Sequence, residues 1–289
     1  MELQLLISGL QTGAVYALVG LGYATVRSAT GVLNLAQGDF LMIGALLMAW
    51  AYVKIDLPYP VACALSVMGV ALVAVAAERL LIQPLRKRQG SDFSVVMVLV
   101  AAMIVLEQGS GAIFGKDEKA VRSPFGAQPL PLGESVFVLP QTIFLLVAVA
   151  AVFGLLFYFY QHTDLGKQMF AVGIDRSAAR AIGIDVPRAS LIAFALGGAV
   201  AAIGGIIFSP MAGASWAMGL PLTIKGFVAM VVGGATRLEG PLVGGLALGL
   251  AEVLAYSLLS PAYGSALALV LLLVILMFRP TGLLGGRAQ

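Results

Sequence analysis

Three ionisable residues interrupt otherwise apolar runs of this sequence: Glu107, Lys225 and Glu252. A charge inside such a run is costly unless it faces an opposite charge, water or the interior of a helix bundle. Pairing of Lys225 with Glu107 or Glu252 would meet that cost, and so would snorkelling of Lys225 and Glu107 toward an interface. A second polar set lies in Gly31–Gly44 (GVLNLAQGDFLMIG), where Asn34, Gln37 and Asp39 stand beside Gly31 and Gly38. Two amides and a carboxylate there suit a broken or re-entrant helix that presents polar groups to a solute. They suit equally a cytoplasmic turn in which Asp39 caps the next helix. Neither set is catalytic. His162 is the only histidine and reads as a span-end residue rather than a catalytic one, and Cys63 is the only cysteine. No Cys/His cluster, HExxH or Walker A pattern occurs, so the sequence offers no metal site and no ATP-binding loop of its own.

The third polar set is the stretch Thr163–Arg188, TDLGKQMFAVGIDRSAARAIGIDVPR, with long apolar runs on either side. Asp175 is well placed to cap a short helix over Arg176–Ile182, and Gly183 to stop it in a left-handed conformation. Ala178, Ala179, Ala181 and Ile182 would form a small-residue surface, and Arg176 and Arg180, one turn apart, a basic stripe. Such a surface can enter a partner's groove while the arginines meet acidic groups. It also reads as a solvated loop helix without a partner.

The elements that carry these sets must be membrane helices. The chain is 60% hydrophobic and 11% charged, with a mean hydropathy of +1.01, against about 45–50% and about 25% in soluble domains. That excludes an ordinary soluble fold. The net charge of +3 belongs to basic flanking loops, since no basic run exceeds Arg86–Arg88, and nucleic acid is not expected as a partner. The first apolar run lacks a basic leader and continues into a full span, so no cleavable signal is expected. Nine spans follow from a requirement of about 20 apolar residues each. They cover 3–26, a helix ending near 54, 60–82, 93–114, 139–160, 189–208, 220–235, 242–258 and 262–278. With the N-terminus outside, Arg27, Arg86–Arg88, Lys167, Arg176, Arg180, Arg188, Arg237, Arg279 and Arg287 all fall on the cytoplasmic side, as basic loops should. Residues 1–289 then form one transmembrane domain, with 115–138 as a periplasmic loop and 163–188 as a cytoplasmic segment. Gly245 and Gly249, at GxxxG spacing, would let helices approach closely within the bundle.

Several stretches carry a family resemblance. Gly9–Leu18 with Gly22-Tyr23, the block Gly31–Asp39 with Met42–Ala45, Glu78-Arg79 with Pro84–Arg86, Ala171–Ile184, the glycines 233, 234, 240, 244 and 245, and Arg279–Gly285 occur in the order seen in LivH-type permeases of branched-chain amino acid ABC importers. Leu35 and Gln37 replace the family's usual Phe and His, so no proton-linked role is placed at Gln37. The resemblance implies an all-α inner-membrane bundle like type II ABC importers, for which the apolar runs give eight or nine transmembrane helices and the basic loops a cytoplasmic C-terminus. It implies a second, LivM-like permease, two cytoplasmic ATPases (LivG- and LivF-like) that hold ATP and Mg, a periplasmic binding protein and surrounding lipid. No cofactor is expected on this chain, which breaks and makes no bonds. The ATPase-coupling residues would be Ala171, Gly173, Asp175, Arg176, Ala178, Ala179, Arg180, Ile182 and Gly183. Tyr16, Asn34, Gln37, Gly38, Asp39 and Lys225 are the candidates for the solute path. The alternatives are the same role for urea, short amides or aromatic and other carboxylates, and an ATP-independent channel or carrier.

Overall fold

A computed structural model describes residues 2–88, 90–126, 128–131, 137–235 and 237–258, and near the end 266, 270, 273–275, 277–279 and 281–285. Helix α1 (Glu2–Thr30) is the hub, packing against α9 (Val186–Ala212), α10 (Gly219–Gly233) and α11 (Gly240–Leu258). Glycine makes the closest of these contacts possible. A Cβ on Gly13 would overlap the Gly245 carbonyl, and one on Gly249 would overlap the backbone of Gly9 and Gly13. The GxxxG spacing is therefore used within the chain, where backbone approach replaces the hydrophobic drive that lipid removes.

The remaining elements are α2 (Gln37–Met48), α3 (Tyr59–Ala77), α4 (Gln83–Lys87), α5 (Asp92–Phe114), α6 (Pro140–His162), α7 (Asp164–Ile174) and α8 (Arg176–Ala181). Two π-helical segments, Ala49–Lys54 and Glu78–Ile82, extend α2 and α3. The second joins α3 to α4, so one span of 29 residues runs from Tyr59 to Lys87 and passes through Pro84. Sequence reasoning ends that span at Ile82. The wider π turn removes the i−4 bond that Pro84 could not make, and the helix continues.

Among the described residues six helices are long and apolar enough to cross a membrane, fewer than the nine expected. Two of the expected spans are short for physical reasons. Helix α10 has 15 residues, about 22 Å at 1.5 Å per residue, against a hydrocarbon core of about 30 Å. Helix α2 opens on Gln37, Gly38 and Asp39, which lower its hydropathy, and it begins inside the protein. The ninth, 262–278, lies mostly outside the described residues, as does Arg287.

The chain between α1 and α2 re-enters the bundle. It leaves helical geometry at Gly31 (φ +65°) and resumes at Gln37. Gln37 then packs on Gly22, eight residues before the end of α1, which is about 12 Å back up the helix. The broken-helix reading of Gly31–Gly44 therefore describes the backbone. The turn-and-cap alternative does not, because Ala36 occupies the cap position and Asp39 makes no capping bond.

At one end of the bundle, the segment that follows α5 is bridged to the α9–α10 connection by reciprocal Lys119–Ala214 backbone bonds of 2.9 Å. The all-α expectation meets a small exception here, a two-residue strand pair, Leu130–Pro131 with Phe137–Val138. At the other end the basic residues converge. Arg27 donates to the Ala235 carbonyl at 2.5 Å, and Arg86 to the Thr30 carbonyl at 3.3 Å.

Candidate functional site

Lys225, midway along α10, meets Glu252, about two-thirds along α11. Lys225 Nζ donates to Glu252 Oε1 at 2.6 Å and to the Tyr16 hydroxyl at 2.8 Å. Tyr16 in turn donates to Glu252 Oε2 at 2.6 Å, and Tyr256 donates to Oε1 at 2.5 Å. The Glu252 side chain is 1% exposed and that of Lys225 15%. One ammonium, one carboxylate and two phenols thus tie three helices at a buried point, and every carboxylate oxygen is engaged. Of the two pairings open to Lys225, the one with Glu252 forms. Glu107 stays half-exposed on α5 and makes no ion pair among the described residues. Tyr256 is missing from the sequence candidates. Its position four residues after Glu252 was the available signal, since i and i+4 share a helix face.

The amides of the re-entrant turn are held by internal hydrogen bonds. Gln37 Nε2 donates to the Gly197 carbonyl of α9 at 2.8 Å, and Asn34 Nδ2 to Gln37 Oε1 at 3.2 Å. The Gly38 amide donates to Thr223 Oγ1 on α10 at 3.1 Å. Asp39 is fully buried against Gly219 at the start of α10, and neither carboxylate oxygen has a hydrogen-bond partner. The block therefore pins α2 to α9 and α10, with one buried acid left over.

The polar stretch 163–188 folds as two short helices. Thr163 caps α7 by accepting from the Gly166 amide at 3.1 Å. Asp175 caps α8 by accepting from the Ser177 and Ala178 amides at 2.8 and 3.0 Å. Gly183 (φ +87°) closes α8, its amide bonded to the Arg180 carbonyl and that of Ile184 to the Ala179 carbonyl, both at 3.0 Å. Those two bonds are the Schellman arrangement, which a left-handed residue makes possible. Ala171 and Gly173 belong to α7, and Gly173 sits directly on the Ser28 carbonyl at the end of α1.

The expected surface of α8 is corrected in two places. Ala179 is buried and faces the bundle, leaving Ala178, Ala181 and Ile182 exposed. The two arginines do not form one stripe. Arg180 is exposed, but Arg176 is half-buried, with one terminal nitrogen enclosed and unpartnered. Burial draws the Arg176 guanidinium below its ordinary pKa, Asp92 and Glu78 pull it back up, and Arg180 pushes it down. The reason is packing: α8 leans on α9 and turns its first residue inward. Beneath it Glu78, Ser190 and Arg86 each leave a buried polar atom without a partner. No sequence spacing marks this cluster, because its residues come from α4, α8, α9 and a π turn.

Helices of membrane-crossing length around a buried polar centre, with a capped polar segment at the basic end, define a multi-pass membrane protein. The chain belongs to the branched-chain amino acid transport system permease component family, whose model matches residues 5–276. It is 29% identical to the high-affinity branched-chain amino acid transport permease BraD of Pseudomonas aeruginosa, and 28% identical to LivH of Escherichia coli. Each match covers 98% of this chain and 95% of the relative. The ribose import permease RbsC of Escherichia coli is 28% identical, over 83% of this chain and 74% of its own. Among solved structures, PsaBC from Streptococcus pneumoniae in complex with Fab shares the fold. The TM-score is 0.51 at 15% identity, covering 96% of this chain and 91% of that one.

Proposed function

We propose that the chain is a permease subunit of a binding-protein-dependent ABC importer that brings branched-chain or related amino acids into the cytoplasm. The observation that carries this is the end-to-end likeness to BraD and LivH. In this reading the end bearing Arg27, Arg86, Arg176 and Arg237 faces the cytoplasm, as the distribution of basic residues favours. Helix α8 docks on one of two ATPase subunits, and its exposed Ile182, Ala178 and Arg180 make the contact. ATP and Mg are held by those subunits, a LivM-like permease completes the membrane part, and a periplasmic binding protein delivers the solute. Closure of the ATPases moves α7, whose Gly173 bears on α1. Helix α1 carries Tyr16 to the Lys225–Glu252 pair, so one rigid element spans both places. The states differ in affinity for ATP and for the binding protein, which is what lets either ligand bias them.

A sugar importer is the second reading, favoured by the likeness to RbsC. The buried ion pair weighs against it. Its ammonium and carboxylate complement the two charged ends of a zwitterion, whereas a sugar carries no charge to match them. Uptake of labelled leucine by a deletion strain carrying the complete importer, with leucine, ribose, urea and benzoate as competitors, tests this. Competition by ribose alone would overturn the amino acid reading. Uptake that persists without the ATPase subunits would overturn the importer reading in favour of a channel or carrier.

A further inference from the structure

We propose that a groove between α1, α6, α7 and the α10–α11 loop holds one anionic phospholipid, its phosphate at the basic end of the bundle. Three adjoining cavities of about 230, 370 and 260 Å³ make up the groove. The first two share Phe170 and Arg237, and the last two share Phe157 and Glu239, with Leu238 common to all three. The groove changes character along its length. Its mouth carries Arg27 and Arg237, and its far end is lined by Leu21, Phe153, Leu156 and Leu242.

The mouth suits a phosphodiester. Arg237 is exposed and makes no ion pair among the described residues. Arg27 is oriented by its bond to the Ala235 carbonyl, which engages one of the five guanidinium donors. Glu239 also lines the groove, so two arginines and one glutamate leave a net charge of +1, opposite to a single phosphodiester. A planar guanidinium matches two phosphate oxygens at once. Basic pockets between membrane helices near a surface are where anionic headgroups settle.

The far end suits an acyl chain. A Cβ built on Gly154 would meet nothing within 4 Å, so the glycine leaves open space rather than permitting a helix contact. The apolar wall on α6 reaches from the end of the helix at His162 back to Phe153, about 13 Å at 1.5 Å per residue. Charge at the surface and hydrocarbon at depth is the profile of an amphiphile. A helix of a second permease would have to bury both arginines and the glutamate. Phe170 and Ile174 of α7 line the mouth as well, so a bound headgroup sits against the segment that the proposed function assigns to coupling. That consequence rests on the proposed function, while the lipid site itself does not.

Native mass spectrometry of the purified, assembled importer with added phosphatidylglycerol or phosphatidylcholine tests the site. The expected result is selective retention of phosphatidylglycerol. Arg237→Ala should lower that retention about fivefold, the effect of one arginine at a membrane surface. Gly154→Leu, which fills open space and leaves assembly intact, should lower it as well. Equal retention of the two lipids, or retention unchanged in both variants, would overturn the proposal. So would a disulfide, formed with an added oxidant, between Gly154→Cys in a Cys63→Ser background and a cysteine introduced on another permease subunit, which would show the groove to be a protein interface. A complex that retains phosphatidylglycerol as expected yet does not transport leucine would overturn the transport reading and support the lipid site.

Discussion

The Lys225–Glu252 pair makes the sharpest prediction, because removing either partner leaves a different remainder. Glu252→Gln strands the Lys225 ammonium with the Tyr16 oxygen and a neutral amide, since no other acid lies within ion-pair distance of it among the described residues. Breaking a buried pair in this way costs about 3–5 kcal/mol. Lys225→Met strands a carboxylate that still accepts from Tyr16 and Tyr256, and hydrogen bonds to a charged group return about 1.5–3 kcal/mol each. The lysine variant is therefore the milder one. The double variant Lys225→Met/Glu252→Gln removes both charges and should be more stable than Glu252→Gln alone. Its cost should fall short of the summed single costs by at least about 2 kcal/mol, as expected for directly coupled residues. Fluorescence-detected size exclusion after heating of the purified complex gives the order of the four proteins. Additive losses, or a double variant worse than either single one, would refute the ion-pair reasoning. Leucine uptake by the same proteins separates stability from transport, and a stable double variant should transport poorly if the pair meets the solute.

Gly173→Ala would place a Cβ on the Ser28 carbonyl, pushing α7 off α1, and should reduce both assembly and uptake. Gly183→Ala keeps the space but strains a φ of +87°; a loss of about 1–2 kcal/mol should loosen α8 and lower solute-stimulated ATP hydrolysis more than it lowers assembly. Arg180→Glu should weaken ATPase association in a salt-dependent manner, measured by pull-down across ionic strengths. Gln37→Leu leaves the Gly197 carbonyl and Asn34 without their partner, and should cost about 1–3 kcal/mol of stability.

Much of the protein was legible in one dimension. Apolar runs of span length follow directly from what hydrocarbon demands, and they place α1, α3, α5, α6, α9 and α11 to within a few residues. The caps of α8 were legible too, because Asp175 and Gly183 act through bonds to residues two to five positions away. The re-entrant turn could only be offered as one of two readings. Its polar block is compatible with water until Gly22, Gly197 and Thr223 are known to surround it. The extension of α3 through Pro84 was hidden for a similar reason, since a π turn carries no reliable mark in the residues that form it.

The order of apolar and polar runs, through the length of the hydrocarbon core and the near-neighbour rules of helix ends, determined that this is a membrane helix bundle with a capped polar segment. Tertiary structure alone decided which charge Lys225 pairs with, which way Arg176 points, and that α1 connects Gly173's contact to Tyr16's. Each of those depends on distances between residues as far as 236 positions apart. No local rule reaches that far, and only the packing of α1 on α7, α10 and α11, and of α8 on α9, brings such groups together.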